Sequence, residues 1–419
     1  MREKRPARRE FLRNGAALAG GLTLSAAAPA LGQHAPAQPP MIKGEREGEI
    51  AYGARSKYVT SARIPHGGRP SPDNFGLTFH VATPLQDQVG VITPSSLHYY
   101  ATTRGAFLPD IDPGRHSLMI HGLVDRPLTF TVDDLKRLPS VTRLHFIECA
   151  GNRASRRAKN VQETHGMTSN AEWTGVLLST LLKECGVKGS AKWFVAEGAE
   201  EVKGASSMPV AKAMDDCIIA YGMNGEAVRP QNGFPLRLMA PGFEGIFHTK
   251  WLRRIKLVDT YYMNYNDFGH LHEGKQDNKV AALAYQIGPK SVITFPSGEQ
   301  RLPGKGFYEI RGLAWSGGGA IKQVEVSTDG GKKWNKAQFQ GTPQRMAHCL
   351  FTYPWQWDGN ETEIMSRCVD EVGQAQPTRV QIAKYWNKTF DQTFSVPGLD
   401  NSVQPWRIAK DGSVTNGFA

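Results

Sequence analysis

The chain has 419 residues, of which 40% are hydrophobic and 21% charged, and its formal net charge is +11. That length exceeds one ordinary core and predicts two domains once any leader is set aside, and the composition excludes a disordered or collagen-like chain. Residues 1–30 hold six Lys/Arg against two Asp/Glu, which leaves 44 against 37, or +7, for the remainder. This mild basic excess suits docking to an acidic protein partner, and with no basic helix or nucleic-acid motif DNA or RNA binding is not expected.

At the N-terminus Arg8-Arg9-Glu10-Phe11-Leu12-Arg13 precedes an apolar, small-residue run over 15–28, and Ala28-Pro29-Ala30 offers a cleavage site. Paired arginines ahead of a weakly hydrophobic run predict a twin-arginine signal peptide over 1–30, hence export to the periplasm. Residues 31–90, rich in Pro, Gly and charge, read as an extended N-terminal arm. Over 91–262 strands and helices mix without regular βαβ repetition, which predicts an α+β domain. There residues 117–122 read as strand and turn, Thr131 or Asp133 caps a short helix, and a helix through Cys185 stops at Gly186. Residues 263–284 read as a polar connector. Short strand candidates at 291–295, 307–315, 321–328, 347–357 and 363–369, with the hairpin signal Asp329-Gly330-Gly331, predict an immunoglobulin-like β-sandwich over 285–395. The tail over 396–419 is expected to be irregular and anchored by Trp406.

The five cysteines, Cys149, Cys185, Cys217, Cys349 and Cys368, have no CxxC spacing, which argues against a zinc or thioredoxin-like centre. None begins a C-x-x-C-H, so the chain does not itself attach a c-type haem. Cys349 and Cys368 could pair, although free buried thiols are the expectation. Cys149 stands out by its surroundings. His145-Phe146-Ile147-Glu148-Cys149-Ala150-Gly151-Asn152-Arg153 reads as a short apolar strand that ends on a thiol, then a glycine turn and basic residues. Backbone can approach such a thiol closely and nearby cations favour its thiolate, a soft ligand for a transition metal; a buried cysteine packed as a small apolar residue is the bland alternative.

These nine residues resemble the molybdenum-cysteine motif of the sulfite oxidase family. Further matches follow in order: Ala220-Tyr221-Gly222-Met223-Asn224-Gly225-Glu226, Gly233-Phe234-Pro235-Leu236-Arg237, Lys250-Trp251-Leu252-Arg253-Arg254 and, later, Gly312-Leu313-Ala314-Trp315-Ser316-Gly317 and Val324-Glu325-Val326-Ser327-Thr328-Asp329-Gly330-Gly331. The resemblance implies an α+β sulfite oxidase-type molybdopterin domain followed by a β-sandwich dimerisation domain. It implies a molybdenum-pyranopterin cofactor whose metal is bound by the Cys149 sulfur, with Arg104 and Arg153 beside the metal as catalytic residues. Arg104, Asn232, Arg237, His248, Thr249 and Lys250 are the implied cofactor contacts.

Three positions depart from the family pattern. Ala154 stands where a second arginine commonly follows the one matching Arg153, Asn232 stands where a histidine contacts the cofactor, and Tyr262 and Tyr265 compete for the place of the active-site tyrosine. Within the family, Thr164-His165-Gly166-Met167, Ser169–Val176 and the closing Val403-Gln404-Pro405-Trp406-Arg407 are most similar to molybdenum subunits of the sulfane dehydrogenases of thiosulfate oxidation. The implied reaction is oxygen transfer to carrier-bound sulfane sulfur, with electrons passing to a c-type cytochrome subunit and the chain forming a homodimer within a hetero-oligomer. A periplasmic sulfite:cytochrome c oxidoreductase is the alternative, and a non-catalytic periplasmic binding protein a distant one.

Overall fold

Runs of β-branched and aromatic residues between turn signals fold here mostly as strands, and the helices are few and short. The structure, a computed structural model, describes residues 56–65, 79–102, 108–200, 205–264, 272–273, 280–281, 285–395 and 400–419. The chain divides into two compact units, Met1–Ser61 and Ala62–Ala419. The predicted leader, most of the extended arm, Arg104 and Tyr265 lie outside the described residues.

The second unit begins with a three-stranded sheet of β1 (Ile64–Pro65), β2 (Phe79–Ala82) and β3 (Tyr100–Thr102). Next in the chain come β4 (Ser117–Gly122), β5 (Leu128–Thr131), β6 (Val141–Glu148), β7 (Thr168–Leu177), β8 (Trp193–Gly198) and β9 (Ala205–Pro209). They are followed by β10 (Ile218–Met223), β11 (Glu226–Ala227), β12 (Arg237–Met239) and β13 (Leu252–Val258). These make two five-stranded sheets, one ordered β5-β4-β13-β8-β9 and the other β11-β10-β7-β6 with β12 paired to β10. Local chemistry sets the helix ends. Thr131 and Asp134 form a reciprocal capping box at the helix Val132–Lys136, and Gly186, at φ +70°, ends the helix Leu178–Cys185.

After the antiparallel pair β14 (His272–Glu273) and β15 (Val280–Ala281) come β16 (Lys290–Phe295), β17 (Gly306–Trp315), β18 (Ile321–Ser327), β19 (Asn335–Lys336) and β20 (Gln338–Gln340). The last strands are β21 (Cys349–Trp357), β22 (Thr362–Asp370), β23 (Pro405–Ile408) and β24 (Val414–Asn416). A four-stranded sheet β16-β17-β21-β20 and a five-stranded sheet β19-β18-β22-β23-β24 share one core, with Val292, Leu313 and Trp315 from the first and Val324, Ile364 and Trp406 from the second. The expected sandwich is therefore present. Its tail differs from expectation: residues 405–408 and 414–416 are not irregular but complete the five-stranded sheet. Trp406 explains why, since its buried ring carries an Nε1–H that donates to the Ile293 carbonyl at 3.0 Å and draws the tail into the core.

All five cysteines are free. Cys349 and Cys368 sit on β21 and β22, in opposite sheets of the sandwich, as buried thiols.

Candidate functional site

Strand β6 positions the site through its period of two. Phe146 and Glu148 point one way, into the second domain: Phe146 joins the sandwich core and stacks on His348, and Glu148 ion-pairs with Lys290. Ile147 and Cys149 point the other way, against a separate cluster that holds Tyr99, Met167, Trp173 and Met239. The thiol thus emerges at the strand's end on the face opposite the sandwich. The Cys149 N–H donates to the Met167 carbonyl at 3.0 Å and the Asn152 N–H to the Cys149 carbonyl at 2.9 Å. A Cβ on Gly151 would come within 2.7 Å of the Met167 Cε, so the turn is close-packed beside the sulfur.

Among the described residues, burial counts for more at this thiol than the nearby cations expected to hold it as a thiolate. Burial pushes the Cys149 thiol up to about 12, with Glu244 and Glu148 raising it further against the Gly151 N–H and Arg153. Desolvation outweighs the guanidinium. A thiolate here needs a stronger positive charge than the described residues supply, and a bound metal ion is such a charge.

On the same side of the molecule, neighbouring strands bring in the predicted basic and polar residues. Arg237 on β12 is buried, and its guanidinium lies 4.8 Å over the Trp173 ring. It donates to the Asn232 carbonyl at 2.7 Å and the His248 carbonyl at 3.2 Å. Burial lowers its pKa to about 10, with Tyr99 acting against that, so it remains charged at neutral pH. Gly233, at φ +112°, makes this junction possible: a Cβ there would lie 3.0 Å from the Lys250 backbone and 3.2 Å from the Arg237 Cβ. Lys250 donates to the carbonyls of Ala101 and Gln231 at 2.9 and 3.1 Å. Beside it Trp251 holds a left-handed φ of +51° and donates its Nε1–H to Pro230.

His248 differs in role from its neighbours. Its Nε2–H donates to the Phe243 carbonyl at 3.0 Å and its Nδ1 accepts from the Ala240 N–H at 3.3 Å, so both ring nitrogens are committed to backbone. Burial holds its pKa well below the usual histidine range. His98 has no motif to mark it in the sequence. Its Nδ1–H donates to the Tyr99 carbonyl at 2.8 Å, the Asn232 amide stands 3.4 Å away, and burial keeps it neutral with a pKa near 3. Tyr99 is likewise met only in three dimensions, where burial raises its phenol well above the ordinary range. Tyr262 is 41% exposed with Lys256 5.0 Å over its ring.

Among the described residues, four buried polar atoms in this region have no partner: His98 Nε2, Asn232 Oδ1, Arg237 Nε and Thr249 Oγ1. An orphaned buried donor or acceptor costs roughly 1–3 kcal/mol, so such a group of them fits a polar ligand that supplies the missing bonds. A pyranopterin with its phosphate carries both donors and acceptors, and Cys149 offers the sulfur for its metal. The residues fit that group. Arg237, Thr249, Asn232 and His98 would hold its polar edges, and Cys149 and Arg153 would flank the metal, which supplies two-electron redox chemistry when bound. A cavity of about 400 Å³, lined by Lys136, Thr174, Tyr221, Glu226, Phe234 and Pro235 among others, includes none of the predicted site residues.

A β-rich domain with a thiol at a strand end, a buried arginine over Trp173 in the cluster that thiol faces, and a sandwich behind has the donor set of a molybdopterin oxidoreductase. The comparisons agree. Residues 105–266 match the oxidoreductase molybdopterin binding domain and residues 281–389 the Mo-co oxidoreductase dimerisation domain. The chain is 33% identical to the sulfane dehydrogenase SoxCD from Paracoccus pantotrophus, whose structure superimposes with a TM-score of 0.81 over 94% of this chain and 99% of that one. It is 31% identical over 328 residues to mitochondrial sulfite oxidase of Mus musculus and 33% identical over 345 residues to nitrate reductase [NADH] 1 of Arabidopsis thaliana. Each alignment takes in 71% of this chain, which spans 59% of that sulfite oxidase and 37% of that nitrate reductase. The chain belongs to the sulfite oxidase family of molybdopterin oxidoreductases, and its cofactor is molybdenum-molybdopterin.

Proposed function

We propose that the chain is the molybdenum-bearing subunit of a periplasmic sulfane dehydrogenase that oxidises sulfur carried on the cysteine of a carrier protein. The single observation behind this choice is the alanine, in place of a second guanidinium, directly after Arg153. The following position is Ala154, which is buried at 3% exposure, and Arg156 does not replace the missing guanidinium. Arg156 ion-pairs with Asp391 and stacks 5.1 Å from the Phe394 ring. Free sulfite is a small anion of up to two charges, whose desolvation calls for several cations. A persulfide-type sulfur on a carrier arm carries less charge and draws its binding energy from the carrier's own surface. The similarity to SoxCD over nearly the whole chain supports the same reading.

With no C-x-x-C-H in the chain, its electrons go to a separate c-type cytochrome. The sandwich makes the homodimer within that assembly. Arg8-Arg9 and the following apolar run send the protein through the twin-arginine route, which carries folded, cofactor-loaded proteins to the periplasm. A steady-state assay with oxidised cytochrome c tests the substrate. Turnover of carrier-bound sulfane sulfur, with little turnover of free sulfite, is the expected result. Rapid oxidation of free sulfite without carrier would replace this reading with a sulfite:cytochrome c oxidoreductase.

A further inference from the structure

The residue just before the metal-ligating cysteine is held from the other domain. Glu148 is 1% exposed, and its carboxylate accepts from Lys290 Nζ on one oxygen and from Trp315 Nε1–H on the other; Lys290 itself is 3% exposed. Both partners belong to the sandwich, on β16 and β17. Lys290 also donates to the Asn152 carbonyl at 2.9 Å, three residues past the thiol. Asn152 closes the ring: its Nδ2 donates to Glu148 Oε1 at 3.0 Å and its Oδ1 accepts from the Met167 N–H at 3.0 Å. Met167 in turn takes the Cys149 N–H. Behind the same strand, the Thr168 hydroxyl donates to the Ile147 carbonyl at 3.1 Å and accepts from His348 Nε2–H, again a sandwich residue, at 3.0 Å.

We infer that Lys290 and Trp315 are positioning residues for the Cys149 sulfur, so that the second domain sets the ligand geometry at the first domain's metal in addition to joining subunits. The sulfur hangs from a backbone segment whose two flanking residues, Glu148 and Asn152, are both grasped by Lys290. A lysine ammonium that bridges a carboxylate and a carbonyl four residues apart fixes the span between them. Groups hydrogen-bonded to a metal ligand orient it and tune the metal, and their loss commonly lowers metal affinity 10–100-fold; Lys290 and Trp315 act one step further out, through Glu148 and Asn152 on either side of the ligand. A buried ion pair is poor evidence of added stability, because the same volume filled with apolar side chains does as well or better; specifying one geometry is the use it is suited to.

The inference rests on the molybdenum assignment and is independent of the substrate. The test uses the full-length holoprotein from a host that makes the cofactor, as wild type, Lys290→Met, Lys290→Arg and Trp315→Phe. Molybdenum per chain, the Mo(V) electron paramagnetic resonance spectrum and thermal unfolding are measured for each. Lys290→Met is expected to lower molybdenum content on the order of tenfold and to shift the Mo(V) g-values of what remains, with Lys290→Arg restoring much of the wild-type spectrum. Trp315→Phe keeps the ring and loses only the donor, so it is expected to fold and to show a smaller shift in the same direction. Unchanged molybdenum content and spectrum in Lys290→Met would overturn the inference even if that variant melts earlier. If Lys290→Met gives no folded protein, an unchanged spectrum in Trp315→Phe overturns it and a shifted one supports it. Wild-type protein without molybdenum would instead defeat the cofactor assignment.

Discussion

Arg237 and Trp173 meet as a buried cation and the face of an indole, 4.8 Å apart, on two strands that are not neighbours but flank β10. The indole supports the charge where water does not reach, and the Asn232 and His248 carbonyls take two of its donors while Nε has no partner among the described residues. Planarity is what this arrangement uses. Lys in place of Arg237 keeps the charge but has no fork to span two carbonyls and leave a third donor for a ligand. Arg237→Lys is expected to fold, by circular dichroism, and to retain on the order of a tenth of the wild-type molybdenum. Full molybdenum content in that variant would remove Arg237 from the cofactor contacts.

The neutral state of the Cys149 thiol gives a second test, in protein made without the cofactor. A thiol raised to about 12 holds little thiolate at pH 8, so alkylation by iodoacetamide should be slower than at an unperturbed thiol by on the order of 10³-fold. The thiolate fraction grows as pH rises toward that pKa, so the rate should climb about tenfold per pH unit up to pH 10. Mass spectrometry of the Cys149 peptide reads the slope. A rate that levels off near pH 9 would mean an ordinary thiol.

Histidines make the folded protein sensitive to acid. Burial holds His145 near 4 and His165 and His348 near 3, against 6.5 for a free histidine. A depressed histidine pKa means that the folded chain binds fewer protons than the unfolded one below pH 6.5. Stability is therefore complete above that pH and is lost as pH falls, at about 1.4 kcal/mol per unit for each of the three, down to their folded values. The urea midpoint is expected to drop steeply between pH 6.5 and 5. A midpoint that stays level over that range would show that these rings accept protons without unfolding.

Trp406 offers a test of the C-terminal strands. Trp406→Ala removes a fully buried ring and its bond to Ile293, and large aromatic truncations in cores cost about 3–5 kcal/mol. A fall of several degrees in the melting temperature of the chain is expected, with β22 left without its β23 partner. Melting at the wild-type temperature would mean that the tail is dispensable to the sandwich.

Much of this molecule is written in local signals. The Thr131 cap, the Gly186 stop, the Asp329-Gly330-Gly331 turn and the apolar run into Cys149 each act within a few residues, through a cap, a left-handed φ or a period of two, and each is present where the sequence places it. The motif around Cys149 likewise identifies the family and its cofactor, because a metal ligand and its turn are contiguous in the chain. Tertiary structure alone decided the rest. Lys290 and Glu148 are 142 positions apart, His98 and Asn232 are 134 apart, and the tail becomes strand only because a core lies ready for Trp406. The charge state of Cys149 belongs to the same group: adjacent arginines are visible in the sequence, but desolvation is a property of packing, and packing outweighs them.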